Sequence, residues 1–149
     1  MRGVVVRLSP TVHGDRDHGF VPRLIQIARE KGISGYPGEG KNRWSAVHRL
    51  DAATLFRLGI EAAPGGARLH AAAEEAISSR RIAEAIGMKL GVPVQSIPSE
   101  RVMEHFGWLG AFFSMDKPAS NAKTRELVGW EPTQIGLIQD VEQGTYFDR

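Results

Sequence analysis

Hydrophobic positions along this chain fall into two alternating patterns. Val4-Val5-Val6-Arg7-Leu8 is a short apolar run with no polar alternation. Such a run suits a strand buried on both faces of a parallel sheet flanked by helices. It breaks at Ser9-Pro10. Pro10 has no N–H to donate, so regular pairing is expected to stop there. Thr11 to Gly19 then reads as a polar loop at the strand's carboxyl end, where open α/β sheets bind ligands. Phe20 to Lys31 places Leu24, Ile27 and Ala28 at helical spacing, with Pro22 in the first turn and Gly32 as the stop.

Ile33 to Asn42 reads as a Gly-rich loop or short strand, and Arg43 to Arg49 alternates as a strand. A helix follows from Leu50 to Ala63, with Asp51 as N-cap, and Pro64-Gly65-Gly66 is a turn. Ala67 to Ala73 suits a second sheet strand, although Ala-rich runs also suit helices. Ser78 to Arg81 opens a helix whose stripe is Ile82, Ala85, Ile86 and Leu90, ended by Gly91. Val92 to Ile97 is extended. Pro98 and Ser99 start one helix that carries Val102, Met103, Phe106, Trp108, Leu109, Phe112 and Phe113. Ser120 caps a helix from Asn121 to Val128, stopped by Gly129 and Pro132, and a last helix spans Gly136 to Phe147. Alternating strands and helices predict an α/β fold, helix-rich in its second half, as one domain over residues 1–149.

Composition narrows the function classes. The formal charge is only +2, from 19 basic and 17 acidic side chains, so no strong field points to nucleic acid or a membrane surface. There are no cysteines, which removes disulfides, thiolate metal sites and a Cys nucleophile. No apolar run approaches the ~18 residues of a membrane span. Met1-Arg2-Gly3 opens no secretory leader, so a cytoplasmic location is the expectation.

Candidate chemistry is sparse. Gly32-Ile33-Ser34-Gly35-Tyr36-Pro37-Gly38 has a phosphate-loop spacing, but it follows a helix and opens none, so a plain turn is the better reading. His13, Asp15, Asp17 and His18 crowd one loop without a helical ligand pair, and no metal site is assigned to them. His48, His70 and His105 read as structural histidines. No serine sits in a Gly-x-Ser-x-Gly elbow. Neither Tyr36 nor Tyr146 has a lysine four residues later, so no catalytic residue is assigned. Phe106, Trp108, Phe112 and Phe113 suit either the core or the roof of an apolar pocket. Arg43-Trp44 suits either a cation and ring offered to a substrate, or a surface Arg beside a packed Trp.

Four stretches, taken in order, resemble one family. Arg7-Leu8-Ser9-Pro10-Thr11-Val12-His13-Gly14 is similar to the strand and loop after the catalytic helix of extended, or atypical, short-chain dehydrogenases/reductases, the NAD-dependent epimerase/dehydratase superfamily. Asn42 to Ala53 resembles its His-x-x-Asp-x-Ala strand-to-helix element. Ala71 to Ile86 is similar to its next strand and helix. Leu127-Val128-Gly129-Trp130-Glu131-Pro132 resembles its Leu-Gly-Trp-x-Pro signature.

The resemblance implies the carboxy-terminal, substrate-binding half of a Rossmann-like oxidoreductase, epimerase or dehydratase. The Gly-rich dinucleotide loop and Tyr-x-x-x-Lys pair of that family are not among these residues. It implies Ser9, Pro10 and Thr11 against the nicotinamide end of the cofactor, and His13, Arg43, Trp44, Phe106, Phe112 and Phe113 on the small-molecule substrate side. NAD or NADP would serve the intact family, with neither held tightly by this chain alone. A non-catalytic binding or interaction domain is the alternative. The resemblance also puts Val4–Leu8 beside a strand of the other half. By itself that strand would be an apolar edge, which implies a homo-oligomer or a separate chain supplying the missing half.

Overall fold

A computed structural model describes residues 2–148. Its first strands set the layout. β1 (Val5–Leu8) pairs in parallel with β5 (Arg68–Ala71). The chain then jogs at Ser9-Pro10 and resumes as β2 (Thr11–His13), which pairs in parallel with β4 (Arg43–His48) instead. Pairing with β5 thus ends at Leu8, before Pro10, and a second strand with a different neighbour begins directly after it. The expected loop from Thr11 begins only at Gly14, whose φ of 137° turns the chain away. β4 continues antiparallel onto β6 (Glu74–Ser78), with a bulge between Trp44 and Ala46. A separate parallel pair joins β3 (Ser34–Pro37) to β7 (Val94–Ile97).

The expected burial of Val4–Leu8 on both faces is not observed. Val5 and Leu8 are 52% and 51% exposed. The reason is topological: β1 is hydrogen-bonded to β5 alone in its sheet, so its other edge is open.

α1 (Phe20–Lys31) matches its predicted span and stops at Gly32 in the left-handed region. α2 (Arg49–Ala62) starts one residue early because His48, not Asp51, is its N-cap: the His48 Nδ1 accepts from the Leu50 N–H at 3.3 Å. Asp51 lies in the first turn and is buried, and its carboxylate accepts from the N–H groups of Thr133 (2.9 Å) and Gln134 (3.0 Å). Its backbone carbonyl accepts from the buried Trp130 indole at 3.0 Å. One residue therefore fastens the Trp130–Gln134 segment across α2, where Trp130 packs with Leu55, Leu69 and Val47.

α3 (Ser79–Leu90) is capped by Ser78, whose hydroxyl accepts from Arg81 N–H. The single helix expected after Ser99 is two short ones, α4 (Val102–Phe106) and α5 (Leu109–Phe113), after a 3-10 turn at Ser99–Arg101. Gly107, with φ 61° and ψ −146°, breaks them apart, a conformation open to glycine at little cost. α6 (Ala122–Val128) and α7 (Leu137–Gln143) complete the chain, and the last expected helical residues form a separate 3-10 turn at Thr145–Phe147. The Glu74 carboxylate accepts from the Leu137 N–H at 2.7 Å, at the amino end of α7.

α7 is also tied to β2 from within. His13 is 1% exposed, and its Nδ1 lies 2.7 Å from the buried Asp140 carboxylate. The His48 ring meets the His13 ring edge-on at 5.3 Å. Burial, and then the neighbouring His13, hold the His48 imidazole below its ordinary value; Asp140 and Asp51 oppose that shift and Arg49 adds to it.

Two predictions follow from these contacts. Asp51→Ala leaves the Thr133 and Gln134 N–H groups without their acceptor, and should cost about 2 kcal/mol in urea denaturation. Asp51→Asn, with one acceptor oxygen left, should cost less, and equal losses would show that the carboxylate does not hold the segment. The second concerns pH. A histidine whose folded pKa is depressed is protonated first in the unfolded chain. Its contribution to stability is therefore complete above about 6.5 and is lost as pH falls from there towards the folded value. The melting temperature should drop between pH 7.5 and 5. His48→Asn keeps a capping acceptor but removes the titration, and should flatten that drop. His105, also lowered by burial and then by Lys31 and Arg101, retains a share. An unchanged slope in His48→Asn would assign the whole effect elsewhere.

Candidate cleft at the strand jog

The jog opens a cleft. Where the chain leaves β5 for β4, Arg7 to Pro10 form one side, and His70 and Ala72 at the end of β5 lie beside them. Trp44 and Ser45, at the start of β4, lie across the gap. Phe20 from α1, Phe112 from α5, and Met115, Lys117, Pro118 and Ala119 complete a cavity of about 760 Å³. That size and its apolar lining are ordinary for a small-molecule site.

Each wall has a local cause. The Ser9 hydroxyl donates to the Ala71 carbonyl at 2.7 Å, so it extends the β1–β5 pairing by one contact past the last ladder pair. Ser45 sits at the β4 bulge, and its N–H turns to the Lys117 carbonyl at 3.1 Å. The Lys117 N–H donates in return to the Arg43 carbonyl at 2.6 Å, so residues 115 to 119 lie against the start of β4. Arg43 clamps the same loop with its side chain: Nε and the guanidinium NH2 reach the two oxygens of Asp116 at 3.0 and 2.8 Å. Hydrogen bonds from Arg43 hold the Asp116 carboxyl below its usual range. The pair is solvent-exposed, so its value is positional.

The aromatic wall is built in layers. Phe20 is stacked on Phe112 at 6.0 Å with the planes 29° apart, and meets Trp44 at 5.4 Å. Behind them, Phe113 packs edge-on against Trp44 at 5.2 Å, and Phe106 against Phe113 at 5.3 Å. Trp44 is 2% exposed, and its indole N–H has no hydrogen-bond partner among the described residues. The buried Thr11 hydroxyl is likewise without one.

The residues singled out from sequence therefore divide. Ser9, Pro10, Trp44 and Phe112 line the cleft together. Thr11 lies on the far side of Pro10, in a shallow depression with Val12, Asp17 and Gly19. His13 is buried against Asp140, Arg43 is turned to Asp116, and Phe106 and Phe113 are core. Phe20, His70, Met115 and Lys117 line the cleft and were not singled out. Phe20 read as a helix start. His70 sits one residue before the end of β5, a position that only the pairing with β1 reveals. Its Nδ1 lies 3.1 Å from the Ser120 carbonyl, so that nitrogen carries the proton and Nε2 is the free one.

Asp15 and Asp17 of the loop after β2 are engaged elsewhere, Asp15 accepting from the Thr145 hydroxyl at 3.0 Å and Asp17 from the Tyr146 hydroxyl at 2.7 Å. Among the described residues, no group of three or more His, Cys, Asp or Glu side chains is placed to hold a metal ion. No helix among them is long and apolar enough to cross a membrane.

No family model matches the chain. Two curated relatives do. An uncharacterized protein of Schizosaccharomyces pombe is 48% identical over 147 residues, covering 99% of this chain and 50% of the relative. An uncharacterized protein of Saccharomyces cerevisiae is 48% identical over 137 residues, covering 92% and 46%. The chain spans about half the length of the curated relatives it matches. Among solved structures, the dTDP-glucose 4,6-dehydratase DesIV of Streptomyces venezuelae, with NAD and TYD bound, superposes with a TM-score of 0.71 at 15% identity, over 97% of this chain and 43% of that one. The UDP-glucose 4-epimerase of Thermotoga maritima gives 0.70 at 17%, over 99% and 46%. RMD of Pseudomonas aeruginosa, complexed with NADPH, gives 0.65 at 16%, over 99% and 49%. The mixed α/β fold of this chain is thus the fold of about half of a Rossmann-like epimerase/dehydratase.

Proposed function

We propose that this chain is the carboxy-terminal, substrate-binding half of an NAD(P)-dependent oxidoreductase of the epimerase/dehydratase type. The observation that carries this reading is the cleft at the jog, formed where parallel strands β1 and β5 end, in a fold shared with half of such enzymes. Ser9 and Pro10 would face the nicotinamide end of a dinucleotide, with Thr11 behind Pro10, and Trp44 and Phe112 would face the substrate. Phe20 and the 115–119 loop would exclude water from the bound molecule.

The residues present fit only that one edge of a dinucleotide. Ser9 spends its proton on Ala71, and the Thr11 hydroxyl is buried on the far side of Pro10. The phosphate-holding parts are a different matter: Gly32–Gly38 runs from α1 through β3, and no helix follows it directly. When bound, the nicotinamide supplies hydride transfer. The proton on the reacting oxygen needs a Tyr/Lys pair, which this sequence does not contain at the family spacing. A second reading, a binding domain without chemistry, is favoured by that same missing pair.

Three outcomes are expected. The purified 149-residue chain should neither oxidise nor reduce a panel of sugar nucleotides, aldehydes and steroids with NAD(H) or NADP(H). Turnover that is abolished by a substitution in this chain would overturn the reading. Calorimetry should give no dinucleotide affinity tighter than roughly millimolar, since no helix N-terminus follows a glycine loop to hold the pyrophosphate. Mixing in the half of the fission-yeast relative that this chain does not match should restore micromolar NAD(P)H binding. No binding in the mixture would favour the second reading.

The third outcome is assembly. β1 presents an open edge with Val5 and Leu8 exposed, and Phe56 and Ile60 of α2 are exposed at 45% and 73%. Only Arg2 and Arg7 flank the run with charge. By itself the chain is expected to form a two-fold dimer by antiparallel pairing of β1 strands, which makes the edge its own complement. Light scattering should report a dimer at micromolar concentration, and a monomer for a folded Val5→Lys. A wild-type monomer would defeat the idea.

A further inference from the structure

The charged groups that line the cleft share one sign: Arg7 and Lys117 are there, and no aspartate or glutamate. Elsewhere the chain pairs its cations readily, as in Arg43–Asp116, Arg57–Glu61, Arg80–Glu84 and Arg101–Glu104. Neither Arg7 nor Lys117 has an acidic partner among the described residues. Trp44 lines the same wall, and its indole N–H, buried from solvent, has no acceptor among the described residues. Apart from Ser9, Ser45 and His70 the remaining lining is apolar, with Phe20, Phe112, Pro10 and Met115 around the gap.

From these we infer that the cleft takes a small organic anion with a flat apolar body, its ring against the Phe20–Trp44–Phe112 wall and its anionic group toward Lys117 and Arg7. This rests on the proposed substrate-binding role and adds the class of molecule. Two cations with no carboxylate lining the cleft disfavour a cationic ligand by the same electrostatics that attract an anion. A neutral ligand would fill the same space and leave both charges uncompensated.

The test uses naphthalene probes of one shape and different charge: 2-naphthoate, 2-naphthyl phosphate, 2-naphthylmethanol and 2-naphthylmethylammonium. Calorimetry on the 149-residue chain should rank either anion above the alcohol and the ammonium last. Lys117→Gln should weaken the anions about fivefold to tenfold and leave the alcohol unchanged, the loss of one charge-assisted contact. Lys117 meets β4 through its main chain, so this variant keeps the wall. In a nitrogen–proton spectrum the Trp44 indole signal, assigned with Trp44→Phe, should move with the anions. If the alcohol binds as tightly as both anions, or Lys117→Gln and Arg7→Gln change nothing, the inference is overturned while the cleft stands as a binding site. If no probe binds, both the inference and the substrate-binding reading of the cleft fall.

Discussion

Pro10 has no N–H, and the layout of the molecule depends on that missing donor. A strand with an intact ladder would keep one neighbour along its length. Here the chain gives up β5 after Leu8 and takes β4 from Thr11. The change of partner needs space between the two pairs, and that space is the cleft. The Ser9 hydroxyl stabilises the step by occupying the Ala71 carbonyl. Ser9-Pro10 is thus a structural joint first, and its place on the cleft follows from the joint.

Across the gap, a second irregularity answers the first. The bulge at Ser45 turns that residue's N–H away from β6 and onto Lys117. Bulges of this kind bend a strand and re-aim its side chains. Trp44 is left against Phe20 on one side and Phe113 on the other. Because Phe113 and Phe106 are buried behind it, the indole sits on a close-packed support and has little freedom to turn its N–H elsewhere.

Much of this was legible in the sequence. The α1 stripe and its glycine stop, and the Ser78 start of α3, are local signals that the structure follows; the strand read from Arg43 onward forms too, but its residues Trp44 to Val47 are buried in a row rather than alternately. What was not legible depended on contacts distant in sequence. Asp51 has the chemistry of an N-cap, but its oxygens go to Thr133 and Gln134, 82 and 83 residues away. His13 stands in a polar stretch and yet is buried, because Asp140 on α7 meets it from 127 residues along the chain. Thr11–His13 lacks the length and the apolar run of a strand, and only β4 beside it makes it one. The aromatic cluster carried both a core and a pocket meaning in its sequence. Gly107 resolves the ambiguity by splitting the helix, so that Phe106 and Phe113 turn inward and Phe112 stays on the cleft.

The charge at the cleft follows from the same economy. Residues 116 and 117 place an acid and a base side by side on one loop, next to Arg43. An isolated reading would pair either cation with Asp116. The main chain decides between them. Lys117 N–H and carbonyl are both bound to β4, to Arg43 and Ser45, which fixes the loop in register with that strand. In that register the Arg43 N–H and guanidinium both reach Asp116. The planar fork of arginine suits two carboxylate oxygens at once, and a lysine ammonium does not. Asp116 is therefore occupied by Arg43, the loop's own acid is spent outside the cleft, and Lys117 stays beside the aromatic wall with its charge uncompensated.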